Sequence, residues 1–186
     1  MDIKYSLLKT KLKNLEKKDE TLIITDFDDT LFCRKEQLEK SSLLRENRGE
    51  KGNEVIMNII GLEEFIKTHY TGKSFPKNII NSMKIGRDLI LTAGLKELQK
   101  AKLEATKLDI YNHIVVDKAE DKIYETIRYI VEDLGFIPNK IVVYEDRPNY
   151  FVENKEFIED FLGTNLEIMF VEMIDNKVEA NIKKIA

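Results

Sequence analysis

The chain of 186 residues has one cysteine, Cys33, so no internal disulfide framework can staple it, and that usage fits a reducing, cytoplasmic compartment. Only two histidines occur, His69 and His113, and both are read as structural. No apolar run approaches membrane-spanning length, so no membrane contact is expected. The first twenty residues, MDIKYSLLKTKLKNLEKKDE, carry Lys, Asp and Glu throughout, where a signal peptide would carry an apolar core. Positive charge is not in excess. Thirty Lys and Arg against 34 Asp and Glu leave a formal net charge of -4, which excludes a surface that is basic as a whole. Glycine is missing where nucleotide motifs need it. There is no GxGxxG, and TGKS at 71–74 has Lys67 where a phosphate-binding loop requires its first glycine. DFDDTL cannot open a calcium-binding EF-hand loop, because Leu31 and Gln37 stand where that loop needs Gly and Glu. No repeat and no low-complexity linker interrupts the chain.

What is present points to one domain with a core, since hydrophobic residues make up 42%. Ile3, Leu7, Leu8, Leu12 and Leu15 sit close to one helical face, which predicts a docked amphipathic helix at the start. Five short β-branched runs read as buried strands: TLIITDF, RDLILTAG, NHIVVDK, NKIVVYED and NLEIMFVEMI. Helical patterns separate them. LKELQKAKLEATKL follows the second strand. AEDKIYETIRYIVEDLG follows the third and ends at Gly135, and NYFVENKEFIEDFLG follows the fourth and ends at Gly163, both placed as C-caps. Continuous apolar strands alternating with helices imply a parallel sheet covered on both faces. Right-handed crossovers then make an α/β, doubly wound, Rossmann-like domain of about five strands over residues 1–186. Residues 33–87 exceed what one crossover needs. They carry a polar stretch and two helical patterns near 54–68 and 76–87, and are read as a small insertion or lid over the carboxyl edge of the sheet.

That edge is where open α/β sheets bind ligands. Asp26 ends the first strand and Asp28 follows two residues on. Glu145 and Asp146 end the fourth strand. Four carboxylates on one edge are hard to keep ionised without a cation. Oxygen donors without a His or Cys cluster favour Mg²⁺ over Zn²⁺. Either acid of the Glu145–Asp146 pair can serve. Asp29 is read as the cap of the next turn.

These residues resemble the haloacid dehalogenase superfamily. DFDDT matches its DxDx[TV] first motif, LILTAG its second, Lys122 or in second place Lys118 its third, and VVYED its acidic fourth. The four occur in order, over residues 21 to about 150. The resemblance implies that Asp26 is a nucleophile forming an aspartyl-phosphate, and that Asp28 is the general acid and then base. It implies that Asp26, the Asp28 carbonyl and Glu145 or Asp146 hold Mg²⁺. Thr92 and the amides near Gly94 would bind phosphoryl oxygens, and Lys122 would neutralise charge. An Asp at position 28 favours a phosphatase, with phosphotransfer or a non-catalytic phosphate-binding module as alternatives. YEDRPNYF partly resembles the fourth motif of domains linked to RNA repair, with Asn149 or Tyr150 where those carry His. Arg147 would clamp a phosphate or pair with a neighbouring acid. From Ile66 to Arg87 there is no acid but five cations, Lys67, Lys73, Lys77, Lys84 and Arg87. With Lys73, Lys77 and Lys84 over the site, the expected partner is a phosphorylated small molecule or a nucleic-acid end.

Overall fold

The computed structural model describes residues 3–33, Ser42, and residues 52–71, 75–173 and 180–186. Most of the polar stretch of the insertion, and Lys73, lie outside the described residues. Six strands form one sheet in the order β3-β2-β1-β4-β5-β6. These are β1 (Lys17–Thr25), β2 (Leu89–Ala93), β3 (Asn112–Val116), β4 (Ile137–Glu145), β5 (Asn165–Met173) and β6 (Ala180–Lys184). The first five run parallel, with Ile24 beside Leu89 on one side and Val143 on the other. The strand order reverses between β1 and β4, and the crevice at such a reversal is where doubly wound sheets take ligands.

The helices are α1 (Ile3–Leu12), α2 (Gly52–Ile60), α3 (Leu62–His69), α4 (Lys77–Ile80), α5 (Lys96–Thr106), α6 (Asp121–Arg128), α7 (Asn149–Glu153) and α8 (Lys155–Leu162). Successive side chains of a strand point to opposite faces, and β1 serves two cores in this way. Leu22 and Ile24 join Leu8, Ile123, Ile127, Ile158 and Leu162 under α1, α6 and α8. Ile23 joins Ile56, Phe65, Ile79, Leu98 and Leu103 under α2 to α5. Helices on both faces of a mostly parallel sheet bear out the doubly wound α/β architecture. The described helices of the 33–87 interval thus contribute to the core of the second face.

Several elements differ from the sequence reading. The sheet has a sixth strand. β6 pairs antiparallel to β5, and its sequence, ANIKK, has too few apolar residues to announce a strand but suits a charged sheet edge. The helical pattern near 54–68 is two helices, broken at Gly61, whose φ of 85° a side chain would strain. The pattern near 76–87 shrinks to the single turn of α4. NYFVENKEFIEDFL breaks at Asn154 into α7 and α8. α6 continues as a wider π-helical turn, Tyr129–Leu134, that buries Tyr129, Ile130 and Val131 in succession and ends at Gly135 as expected. α1 docks through Leu8 and through Tyr5, whose ring meets Tyr124, Phe157 and Phe161 edge-on, while Ile3 and Leu7 face solvent at 78% and 63% exposure. Among the described residues, no helix is long and apolar enough to cross a membrane.

Candidate active site

Hydrophobic strands carry the polar residues to one edge. The last four residues of β1, Leu22 to Thr25, are buried and anchor the strand. The chain then turns sharply. The Phe27 carbonyl accepts from the amides of Leu31 and Phe32 at 2.9 Å each, and the Asp29 amide donates to the Phe32 carbonyl at 2.7 Å. Asp29 closes this turn in the left-handed region, at φ 60°. The turn leaves Asp26 and Asp28 facing one cavity of about 500 Å³. Around it stand Thr92 at the end of β2, Lys122 at the start of α6, and Glu145 and Asp146 where β4 ends. The loop after β4 is tied back to the loop after β1, because Thr30 Oγ1 accepts from the Asp146 amide at 3.1 Å.

Lys122 connects the two central strands. Its Nζ donates to Asp26 Oδ1 at 2.8 Å and to Glu145 Oε2 at 2.7 Å, and all three residues are buried. Lys118 is exposed and lies 3.8 Å from Glu120, whereas Lys122 is the one of the two lysines that reaches Asp26 and Glu145. Asp26, Glu145 and Asp146 each offer a carboxylate oxygen, and these lie within 4.8 Å of one another. Three carboxylates share one buried ammonium and the exposed Arg147 guanidinium, which leans on Asp146, so negative charge is in excess. The titration behaviour follows from that excess and from burial. Burial opposes the charge on Lys122, but Asp26 and Glu145 outweigh it and raise its pKa. Burial first, and then the charge of Asp26, push Glu145 up to about 8. Asp146 is raised for the same two reasons. Within the Lys122–Glu145 pair the ammonium is therefore stabilised, while burial and the neighbouring Asp26 charge disfavour the ionised carboxylate.

This donor set fits a divalent cation. It is all oxygen, its negative charge is in excess, and Asp146 Oδ1 is buried without a hydrogen-bond partner among the described residues. Asp146 keeps that oxygen uncommitted, whereas Glu145 is engaged by Lys122 and accepts from the Arg147 amide at 3.4 Å. Both acids of the pair can therefore reach the cation, and Asp146 is the one with an oxygen to spare.

The other expected residues divide. Asp28 and Thr92 line the cavity and are buried. Arg147 lines it with a side chain that is 70% exposed, and its Nε stands 3.5 Å from Asp146 Oδ2, so the guanidinium leans on a neighbouring acid. Gly94 does not line the cavity, although Thr92 and Ala93 beside it do. Its amide donates to the Val116 carbonyl at 2.9 Å and is spent on joining β2 to β3. A side chain at Gly94 would press on Gln99, with a Cβ 2.9 Å from Nε2, so the glycine makes room for that residue. Neither Lys77 nor Lys84 lines the cavity. The Lys84 amide is bound to Asp88 at the amino end of β2, the edge away from the acids. Lys77 starts α4, whose Asn78 bonds to Ala180 of β6. The sequence reading missed Lys102 and Gln99, which approach Asp28 from α5, and the apolar wall of Phe151 and Phe170. Neither Lys102 nor Gln99 belongs to a motif, and a lysine within a helical pattern reads as solvated.

No family model matches the sequence, and no curated protein does so either. Among solved structures, a haloacid dehalogenase-like family hydrolase from Xanthomonas campestris is similar at 15% sequence identity, covering 88% of this chain and 86% of that chain with a TM-score of 0.45. A likeness that loose assigns no residue a role.

Proposed function

We propose that this protein is a Mg²⁺-dependent phosphohydrolase that cleaves a phosphate monoester through an aspartyl-phosphate on Asp26. The observation that carries the proposal is the double reach of Lys122, from Asp26 at the end of β1 to Glu145 at the end of β4, at the floor of the cavity. It supports that reading because the proposed nucleophile, a buried cation and carboxylate oxygens would then stand together around one phosphoryl group. Phosphoryl transfer asks for little more than positioning and neutralisation of spread negative charge.

In this reading Lys122 holds one oxygen of Asp26 and leaves the other to attack phosphorus. The bond from phosphorus to the ester oxygen breaks, and Asp28 gives that oxygen a proton. In the second half Asp28 takes a proton from water, the water oxygen attacks phosphorus, and Asp26 is released. Thr92 offers its hydroxyl to a phosphoryl oxygen. Asp26, Glu145 and Asp146 would hold Mg²⁺, with the Asp28 carbonyl as the family resemblance implies, and the ion when bound supplies neutralisation of the phosphoryl charge. A cavity of about 500 Å³ exceeds the needs of phosphate alone. Its rim of Tyr150, Phe151, Phe170 and Arg147 suits the organic part of a phosphorylated small molecule or the last nucleotide of a nucleic acid.

Hydrolysis of p-nitrophenyl phosphate tests the proposal. Activity should vanish after thorough chelation and return with Mg²⁺. Turnover that survives chelation would sink the metal assignment. No turnover of that compound or of any sugar phosphate, nucleotide or phosphorylated oligonucleotide, together with tight ligand binding, would make the chain a phosphate-binding module.

A further inference from the structure

Lys102 is fully enclosed, with none of its side chain exposed. Taking an ammonium out of water is costly unless something specific receives it. Here its Nζ donates to Asp28 Oδ2 at 2.7 Å, and it stands 5.1 Å from the centre of the Tyr70 ring. Gln99 precedes Lys102 by three positions on α5, so both project from one face of that helix. Gln99 Nε2 donates to the Ala93 carbonyl at 3.1 Å and reaches the same Asp28 oxygen at 3.4 Å. Its fit depends on Gly94 having no side chain. One carboxylate oxygen thus takes two donors from one helix. The first carries a charge, and the second is braced against the end of β2.

We propose that Lys102 and Gln99 are positioning residues that hold the Asp28 carboxyl in its orientation for proton transfer; this rests on the role proposed above for Asp28. A general acid must stand within hydrogen-bond reach of the oxygen it serves. Asp28 hangs beyond the end of β1, in a turn whose backbone is fixed by the Phe27 carbonyl but whose side chain needs its own restraint. The clamp supplies it from the helix that follows β2. It also couples Asp28 to the 33–87 interval, because Tyr70 covers Lys102 and stacks on Phe32 at 4.5 Å between ring centres, and Phe32 lies 5.8 Å from Phe27. Residues of the second-face core thereby bear on the orientation of a reacting group.

A double-mutant cycle with two leaving groups tests this. Lys102→Met keeps the volume and removes the donor. It should lower kcat on phenyl phosphate by roughly 10–10²-fold, the scale of a small misplacement of a catalytic group, with KM nearly unchanged. The loss on p-nitrophenyl phosphate, whose leaving group scarcely needs a proton, should be smaller. Lys102→Gln, which can still donate, should recover part of the loss. In an Asp28→Asn background Lys102→Met should cost little more, since Lys102 acts through Asp28. Losses that multiply in the double variant, or that are equal on both substrates, overturn the inference, as does a Gln variant no better than Met. If Lys102→Met does not fold, judged by its thermal transition, Lys102→Gln and Gln99→Met carry the same cycle. A parent without phosphatase activity overturns the functional reading and this inference together. An active parent with a multiplicative cycle overturns this inference alone.

Discussion

Asp26 and Asp28 are two residues apart, and each is bonded to a buried lysine, yet their settings are built differently. Asp26 shares Lys122 with Glu145, beside Asp146, in an open cavity with surplus negative charge. Asp28 meets Lys102 between α5 and an aromatic stack of Phe27, Phe32 and Tyr70. The first setting is made by the sheet, because parallel strands deliver their ends to one edge whatever lies between them. The second is made by packing of a helix face against rings, of which Phe27 and Phe32 flank Asp28 and Tyr70 comes from far along the chain. A centre with charge left over is suited to bind a cation and a phosphate. A centre closed in by packing is suited to hold one carboxyl still.

Substitution of each aspartate should break this comparison most sharply. Asp26→Asn removes the attacking oxygen, so no phosphoenzyme should form and turnover should fall to background on every ester. Asp28→Asn leaves the nucleophile. It should cost roughly 10²–10⁴-fold on a poor leaving group, the usual worth of a general acid or base, and less on p-nitrophenyl phosphate where dephosphorylation is not limiting. Acid-quench trapping of the phosphoenzyme, with rates on both esters, separates the two. Equal losses on good and poor leaving groups would remove the acid role from Asp28.

The contrast also accounts for what could be read from the sequence. Short β-branched strands ending in acids announced β1 and β4, and the rule that ligands sit beyond such ends placed Asp26, Glu145 and Asp146 together before any coordinates. Gly135 and Gly163 stop their helices in the left-handed region, a property glycine carries locally. Choosing between Lys118 and Lys122 needed the first turn of α6, where four positions decide which side chain points inward. Gln99, Lys102 and Tyr70 left no signal, because their meeting depends on how α5 and the 33–87 interval pack. β6 was missed because a five-residue edge strand, ANIKK, with two terminal lysines and little apolar content, buries little.

Proton binding sharpens the contrast at the charge-rich centre. Glu145 has a folded pKa of about 8 against an ordinary 4.5, and Asp146 shifts in the same direction. Between about 4.5 and about 8 the unfolded chain has lost a proton that the metal-free folded protein retains. Folding then takes up protons, and stability falls as pH rises through that window. Lys122 adds no slope there. Its pKa is raised above an ordinary 10.5, so its contribution is whole throughout. Thermal unfolding without metal should therefore show a midpoint that declines from about pH 5 to about pH 8, and Glu145→Gln should flatten the decline. If Mg²⁺ binds this cluster as proposed, it binds the ionised carboxylates, so the rise in midpoint it produces should grow with pH. A metal-free midpoint that climbs over this range would contradict the charge count at Asp26.

The smallest effect belongs to the segment whose charge stood out most in the sequence. Residues 66–87 are basic and free of acids, as if made for a polyanion, but a run of charge says nothing of which edge it occupies. Lys84 is fixed through its amide to Asp88, whose carboxylate also accepts from the Ile23 amide and the Arg87 guanidinium at the amino end of β2. Lys77 is exposed at the head of α4, beside the Asn78 contact to β6. Neither ammonium faces the cavity, and solvent-exposed charges more than about 10 Å away are largely screened at ordinary ionic strength. Lys77→Gln with Lys84→Gln should therefore leave kcat and KM within about twofold on p-nitrophenyl phosphate, nucleotides and phosphorylated oligonucleotides alike, an allowance in keeping with the small worth of exposed charges. The salt dependence of the oligonucleotide reaction should also be unchanged, since neither lysine would be contributing a phosphate contact. A KM that rises for oligonucleotides alone, with a shallower salt slope, would return these two lysines to the substrate path.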